Sequence, residues 1–320
     1  MAQLIKLEDY MSRYATNMYK YPTQFVRLKK QQWERLMHEY ENGTLVEVED
    51  KEEVVENEGI KEKFKNVFKR QRKEEVLFDF QSIVPKTETF NFQPSFTITP
   101  SSLEDLKRMF LDQLYNTQLK WASSSLLEKS FINPGYYTDP NLKYFLQRFP
   151  DTFFVLYKPI FLLKKAPIEL ETLLITPSEV ICLSILEGRE NAAYIADANE
   201  RFWIQKSEGE DKRFLSPLVG LNRTESIVST ILKANESAIP VKKLLLSRTG
   251  YIDFPMSPYH VQLVDKRNYE EWFQQMRNYR SPLKNQQIKA AVSLLDYCQT
   301  TSVKRLEWED TNSITGQEED

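Results

Sequence analysis

Histidine and cysteine are nearly missing from this chain, which has two of each in 320 residues. His38 and His260 are far apart, and neither stands near a cysteine at ligand spacing. A tetrahedral zinc site takes three or four Cys, His or carboxylate ligands, so no zinc centre is expected. A Ser-His-Asp triad would have to use one of these two histidines, and neither sits in a recognisable nucleophile context. Cys182 and Cys298 each lie in an apolar run and read as buried, reduced thiols. The eight glycines are isolated. Phosphate cradles need clustered glycines because the backbone must approach the ligand closely, so P-loop NTPases, Rossmann dehydrogenases and protein kinases are excluded.

Long apolar runs are absent as well. No stretch approaches the roughly 18 apolar residues of a membrane span. The opening residues Met1–Asp9 turn polar and acidic too early for a secretory signal. The expected location is cytoplasmic, with no membrane partner. A large charge of one sign is missing too: 43 Lys and Arg nearly cancel 46 Asp and Glu, leaving −3. Wholesale adhesion to nucleic acid is not implied, which leaves local basic patches to consider.

What is present suffices for a core: 41% of residues are hydrophobic and 28% charged. Residues 1–43 read as helical, with Phe25, Leu28, Trp33, Leu36, Met37 and Tyr40 near helical spacing. An acidic run over 47–58 precedes a basic one over 61–73. The pair reads either as a linker with a solvated helix or as a partner contact. Residues 76–100 read as extended and proline-interrupted. Ser101–Asp105 has a capping-box pattern, and a helix follows towards Trp121. Asn133-Pro134-Gly135 is a turn and the expected domain boundary.

The second half has a definite order of elements. Asp139 caps a helix to about Phe149, and Phe153–Tyr157 is a strand. Leu173–Ile175 and Val180–Leu183 form a hairpin about the turn Thr176-Pro177-Ser178. A helix near 224–234 and a strand at Val241–Leu246 follow. A last amphipathic helix starts near Pro282, and the tail after 305 is polar. The expected fold class is α+β: a mainly helical N-terminal region over 1–135 with an acidic linker near 44–59, an α-β-β-β-α-β domain over 136–305 with C-terminal helices, and a tail over 306–320.

That order, with Glu169-Leu-Glu-Thr-Leu-Leu-Ile-Thr-Pro-Ser-Glu-Val-Ile-Cys-Leu at its centre, Trp203 later, and Ser216-Pro217-Leu218 before the next helix, resembles the nuclease-related (NERD) domain. This family belongs to the PD-(D/E)XK nuclease superfamily, and the resemblance covers about 139–250. It implies a restriction-endonuclease-like domain, Mg²⁺ as cofactor if the site is active, and DNA or RNA as partner. In the family an acid opens the first hairpin strand and an E-x-K lies on the second. Two converging carboxylates hold the hard cation, and the lysine orients water or stabilises charge.

Carried onto this chain, the resemblance makes Glu171 and Glu187 the metal ligands and catalytic acids, with Arg189 in place of the lysine. Arginine, however, is a fixed charge and never a proton acceptor. Counting outward from the turn without a gap puts Ser184 at the second acid and Leu186 at the lysine. Side chains alternate along a strand, so Glu187 serves only if a β-bulge reverses the alternation. No glutamate lies between Asn141 and Gln147 to match the family's upstream helix acid. Arg223, Lys242, Lys243 and Arg248 are the candidate phosphate contacts, with Phe202 and Trp203 as nearby aromatics. Three functions follow: a catalytically degenerate nuclease-related protein with a nucleic-acid-associated role, an active Mg²⁺-dependent nuclease using Glu171, Glu187 and Arg189, or a non-enzymatic scaffold whose N-terminal helical region recruits a protein partner.

Overall fold

The computed structural model describes residues 1–45, 92, 94, 96, 98–196, 201–207, 209–254 and 260–305. The acidic run, the basic run, most of the proline-interrupted segment and the tail lie outside them. The described residues form a mixed α+β protein. Its strands are β1 (Gln3–Leu7), β2 (Glu128–Lys129), β3 (Phe154–Tyr157), β4 (Ile160–Leu163), β5 (Ala166–Glu169), β6 (Thr172–Ile175) and β7 (Val180–Ile185). They continue with β8 (Ala193–Ile195), β9 (Phe202–Ser207), β10 (Glu210–Leu215), β11 (Val241–Leu246), β12 (Tyr251–Asp253), β13 (Val261–Val264) and β14 (Val303–Lys304). The helices are α1 (Arg13–Thr16), α2 (Tyr21–Glu41), α3 (Leu103–Trp121), α4 (Pro140–Arg148), α5 (Pro217–Ala234), α6 (Tyr269–Arg277) and α7 (Asn285–Leu295).

The chain divides into two units, residues 1–30 with 111–320, and residues 31–110. The division is not at the Asn133-Pro134-Gly135 turn expected from the sequence. Residues 3–7, expected to be helical, form β1 and pair in parallel with β3. Every residue of β1 is buried. Its polar members find partners outside the strand: Gln3 Nε2 donates to the Asp151 carbonyl at 2.7 Å, although Gln3 Oε1 has no partner among the described residues, and Lys6 Nζ donates to the Tyr10 carbonyl at 2.7 Å and to Thr300 Oγ1 at 3.1 Å. The second unit has Trp33 against Phe110 with centroids 5.3 Å apart, and Leu36 and Phe96 buried.

The core of the first unit is a six-stranded sheet in the order β1-β3-β6-β7-β11-β13. β6 runs antiparallel to β3 and β7, and β11 runs parallel to β7 and β13. The runs Phe-Val-Leu-Tyr, Thr-Leu-Leu-Ile and Val-Ile-Cys-Leu-Ser are buried throughout, as strands covered on both faces must be. The hairpin turn between β6 and β7 closes on Thr176. Its hydroxyl accepts from the Ser178 and Glu179 N–H groups at 3.2 and 3.0 Å. Pro177 suits such a turn because its φ is already fixed.

Helices cover both faces. Asp139 caps α4 by accepting from the Asn141 and Leu142 N–H groups at 2.9 Å each. It also accepts from the Tyr157 hydroxyl of β3, which ties α4 to its face of the sheet. α6 joins that side through Tyr144, Phe149, Tyr269 and Phe273. α5 packs on β7 and β11, with α7 beside it. A smaller sheet, β10-β9-β8-β12, follows β7 and buries Trp203 against Phe214.

Candidate functional site

The hairpin carries the register that the expected acids depend on. Leu173 pairs with Cys182 and Thr172 with Leu183, so Glu171, one step before β6, comes opposite Ser184. The Ser184 hydroxyl hydrogen-bonds the Glu171 carboxylate. The Glu171 N–H donates to Thr224 Oγ1 of α5 at 3.0 Å. Gly220 of α5 lies so near that an added Cβ would stand 3.3 Å from Glu171 Cδ and closer still to Oε1. Burial pushes the Glu171 pKa up. Ser184 and the Arg223 guanidinium pull against that shift.

Glu187 is elsewhere. The pairing of β7 with β11 runs unbroken through Ser184↔Leu245 to its end at Ile185↔Leu246, so no bulge interrupts β7, and Glu187 lies past the end of the strand. Alternation puts Glu171, Cys182 and Ser184 on the α5 face, and Cys182 senses Glu225 of α5. Tyr157 faces the other way, onto Asp139 of α4, and its surroundings include Glu187. Glu187 forms an ion pair with Arg248, whose Nη2 donates to Asn141 Oδ1 of α4 at 2.9 Å. The Arg248 guanidinium lies 4.3 Å from the Tyr144 ring centroid. Arg189 lies towards the β9–β10 turn, its Nη1 3.9 Å from where a Cβ on Gly209 would be.

Glu171, Glu187 and Arg189 are thus not assembled into one site. A divalent magnesium ion prefers several oxygen ligands, with carboxylates that converge. Glu171 has a hydroxyl for its cross-strand partner, and Glu187 is neutralised by a guanidinium. These residues do not fit the metal, and among the described residues no cluster of three His, Cys, Asp or Glu could hold one.

The four candidate phosphate contacts all have partners inside the chain. Lys242 pairs with Glu179 at 2.6 Å, Lys243 donates to Asn222 Oδ1 at 2.8 Å, and Arg223 donates to the Glu169 carbonyl at 3.0 Å. Arg248 is held by Glu187 and Asn141. Trp203 is buried, whereas Phe202 is partly exposed under the Arg213 guanidinium.

Sequence reasoning missed a cleft of about 430 Å³ between α4, α6 and the end of β11, lined by Lys143, Tyr144, Arg148, Arg248, Tyr269 and Phe273. The Tyr269 and Phe273 rings stack at 5.6 Å and 15°, and the Tyr269 hydroxyl donates to that of Tyr144 at 3.1 Å. Burial, then that hydrogen bond, raise the Tyr144 pKa, so the phenol stays protonated at neutral pH. Its residues lie far apart in the chain. The only local signal was Lys143, Tyr144, Gln147 and Arg148 recurring on one side of α4.

No family model and no solved structure matches this chain. The RNA 2',3'-cyclic phosphodiesterase of Geobacillus stearothermophilus is 51% identical over 41 residues. That stretch is 13% of this chain and 13% of the relative's length.

Proposed function

We propose that this chain is a catalytically degenerate nuclease-related protein that acts by contacting nucleic acid. The observation that carries the reading is Ser184 opposite Glu171 in unbroken register. A hairpin that would present two acids and a lysine on one face presents one acid, one hydroxyl and the apolar Leu186. The succession α4-β3-β6-β7-α5-β11 supports a restriction-endonuclease-like ancestry for the domain, because it is the expected α-β-β-β-α-β order with β11 laid parallel beside β7. Function does not follow from fold, so the activity must be argued from the site. With one carboxylate there, metal-assisted attack on a phosphodiester has no two-acid clamp to use.

The test incubates purified protein with single- and double-stranded DNA and RNA in Mg²⁺ or Mn²⁺. Salt-dependent binding without cleavage is expected, since phosphate contacts release counterions. Cleavage that disappears in Glu171→Gln would overturn the degenerate reading. Absence of binding to every nucleic acid would favour a protein-interaction scaffold instead.

A further inference from the structure

The geometry points to the α4–α6 cleft as a binding site for one unstacked nucleotide of a single strand. This rests on the nucleic-acid reading above and gives it a place and a strand class. The cleft lies on the α4 face of the sheet, away from the Glu171 hairpin edge.

Three of its features match such a ligand. The first is a prepositioned guanidinium. Arg248 has five N–H donors, of which Glu187 takes Nε–H and Asn141 one on Nη2; the rest remain to meet an anion. Held on two sides and stacked on Tyr144, the fork loses little further freedom when it binds phosphate. The second is charge. Arg148 is exposed, ends α4, and has no hydrogen-bond or ion-pair partner among the described residues. Lys143 stands five residues before it on α4, 3.8 Å from Asp112. Lys143, Arg148 and Arg248 equal in number the neighbouring carboxylates Asp112, Glu187 and Glu270, so the attraction for a phosphate rests on Arg148 and on the open donors of Arg248. The third is the half-buried Tyr269 ring, stacked on the buried Phe273, a platform for a single base.

Size decides the strand class. About 430 Å³ admits one nucleotide unit, not a helix. A base offers its face to a side chain only when it is out of the duplex stack. The site therefore selects a strand terminus or a loop over paired nucleic acid.

The test is fluorescence anisotropy with labelled decathymidylate and decauridylate, with a closed duplex hairpin and polyglutamate as competitors. Both single strands should bind, and the duplex should compete at least about tenfold less well. Arg148→Ala should weaken binding about tenfold and reduce the salt slope by about 0.7, as loss of one phosphate contact on a single strand does. Tyr269→Leu should weaken binding about tenfold by removing the platform, whereas Tyr269→Phe should bind normally. Arg148 is exposed, so its removal leaves the fold intact; melting curves check this for the Tyr269 variants. Unchanged binding by both Arg148→Ala and Tyr269→Leu would overturn this site while leaving the nucleic-acid reading standing. Polyglutamate competing as well as decathymidylate would also overturn it, as a site for acidic chains. Failure of every nucleic acid to bind would overturn both.

Discussion

Placing alanine at position 220 tests the packing of α5 on the Glu171 carboxylate. Gly220 is not at a positive φ, so alanine fits the backbone. On helix propensity alone the change stabilises by about 0.5–1 kcal/mol. The new methyl, however, lands 3.3 Å from Glu171 Cδ and closer to Oε1. The carboxylate must then move, which strains its hydrogen bond to Ser184 in a largely buried position. Forcing a methyl into a packed site costs about 1–3 kcal/mol, so a net loss of about 1 kcal/mol is expected. In a Glu171→Ala background the obstacle is gone, and Gly220→Ala should stabilise by about 0.5–1 kcal/mol. The cycle therefore has a coupling of about 2 kcal/mol, read from urea denaturation of the four proteins. If Gly220→Ala stabilises the parent, or has the same effect in both backgrounds, the close approach of α5 to Glu171 is refuted.

Burial raises the Glu171 pKa above the ordinary glutamate value of 4.5, so folding favours its protonated form. That stability is fully present below the unfolded value and is lost as pH rises through the folded one. Glu171→Gln should therefore be more stable than the parent at pH 7, with the difference fading towards pH 4, as followed by urea midpoints across pH. Arg248→Met strands Glu187, whose side chain is 25% exposed, and should cost about 2 kcal/mol. Adding Glu187→Gln should recover part of that loss, and strict additivity would show that the pair is not coupled. Asp139→Ala removes two cap bonds and the acceptor of Tyr157, for a loss of about 1–2 kcal/mol in thermal or urea unfolding. A change within experimental error would mean that α4 does not depend on this cap.

The elements legible in the sequence are those whose signal is local. Val241–Leu246 was expected as a strand over those same residues. The β6–β7 hairpin announced itself through two short β-rich runs about Thr176-Pro177-Ser178, and α4 through Asp139. β1 did not, because Gln3 and Lys6 spoil an apolar run, and partners as distant as Asp151 and Thr300 help to make their burial tolerable. The β4–β5 hairpin was hidden by its turn. Lys164 and Lys165 have φ of 47° and 69°, a conformation usually signalled by Asn-Gly. At the candidate site, counting from the turn exposed the competition between Ser184 and Glu187. The β6–β7 register then put Ser184 opposite Glu171, and the pairing of β7 with β11, a long-range fact, kept β7 regular to Ile185. The α4–α6 cleft was illegible because its rings and cations come from three separate segments.

Strand β1 sets a clock for synthesis. Gln3 reaches a carbonyl 148 positions along the chain, and Lys6 reaches a hydroxyl 294 positions along it. At about 5–20 residues per second, translation must run roughly 15–60 s past Lys6 before its last partner exists. Until β3 (Phe154–Tyr157) has been made, about half-way through that interval, Leu4, Ile5 and Leu7 have no sheet edge to join, and Lys6 has no Thr300 to meet until its end. Vectorial emergence thus leaves β1 waiting on β3, and the Lys6 ammonium waiting longer still for Thr300. Topology of this kind slows folding more than it changes stability. A chaperone that shields this short apolar segment on the ribosome would cover it until β3 has been made.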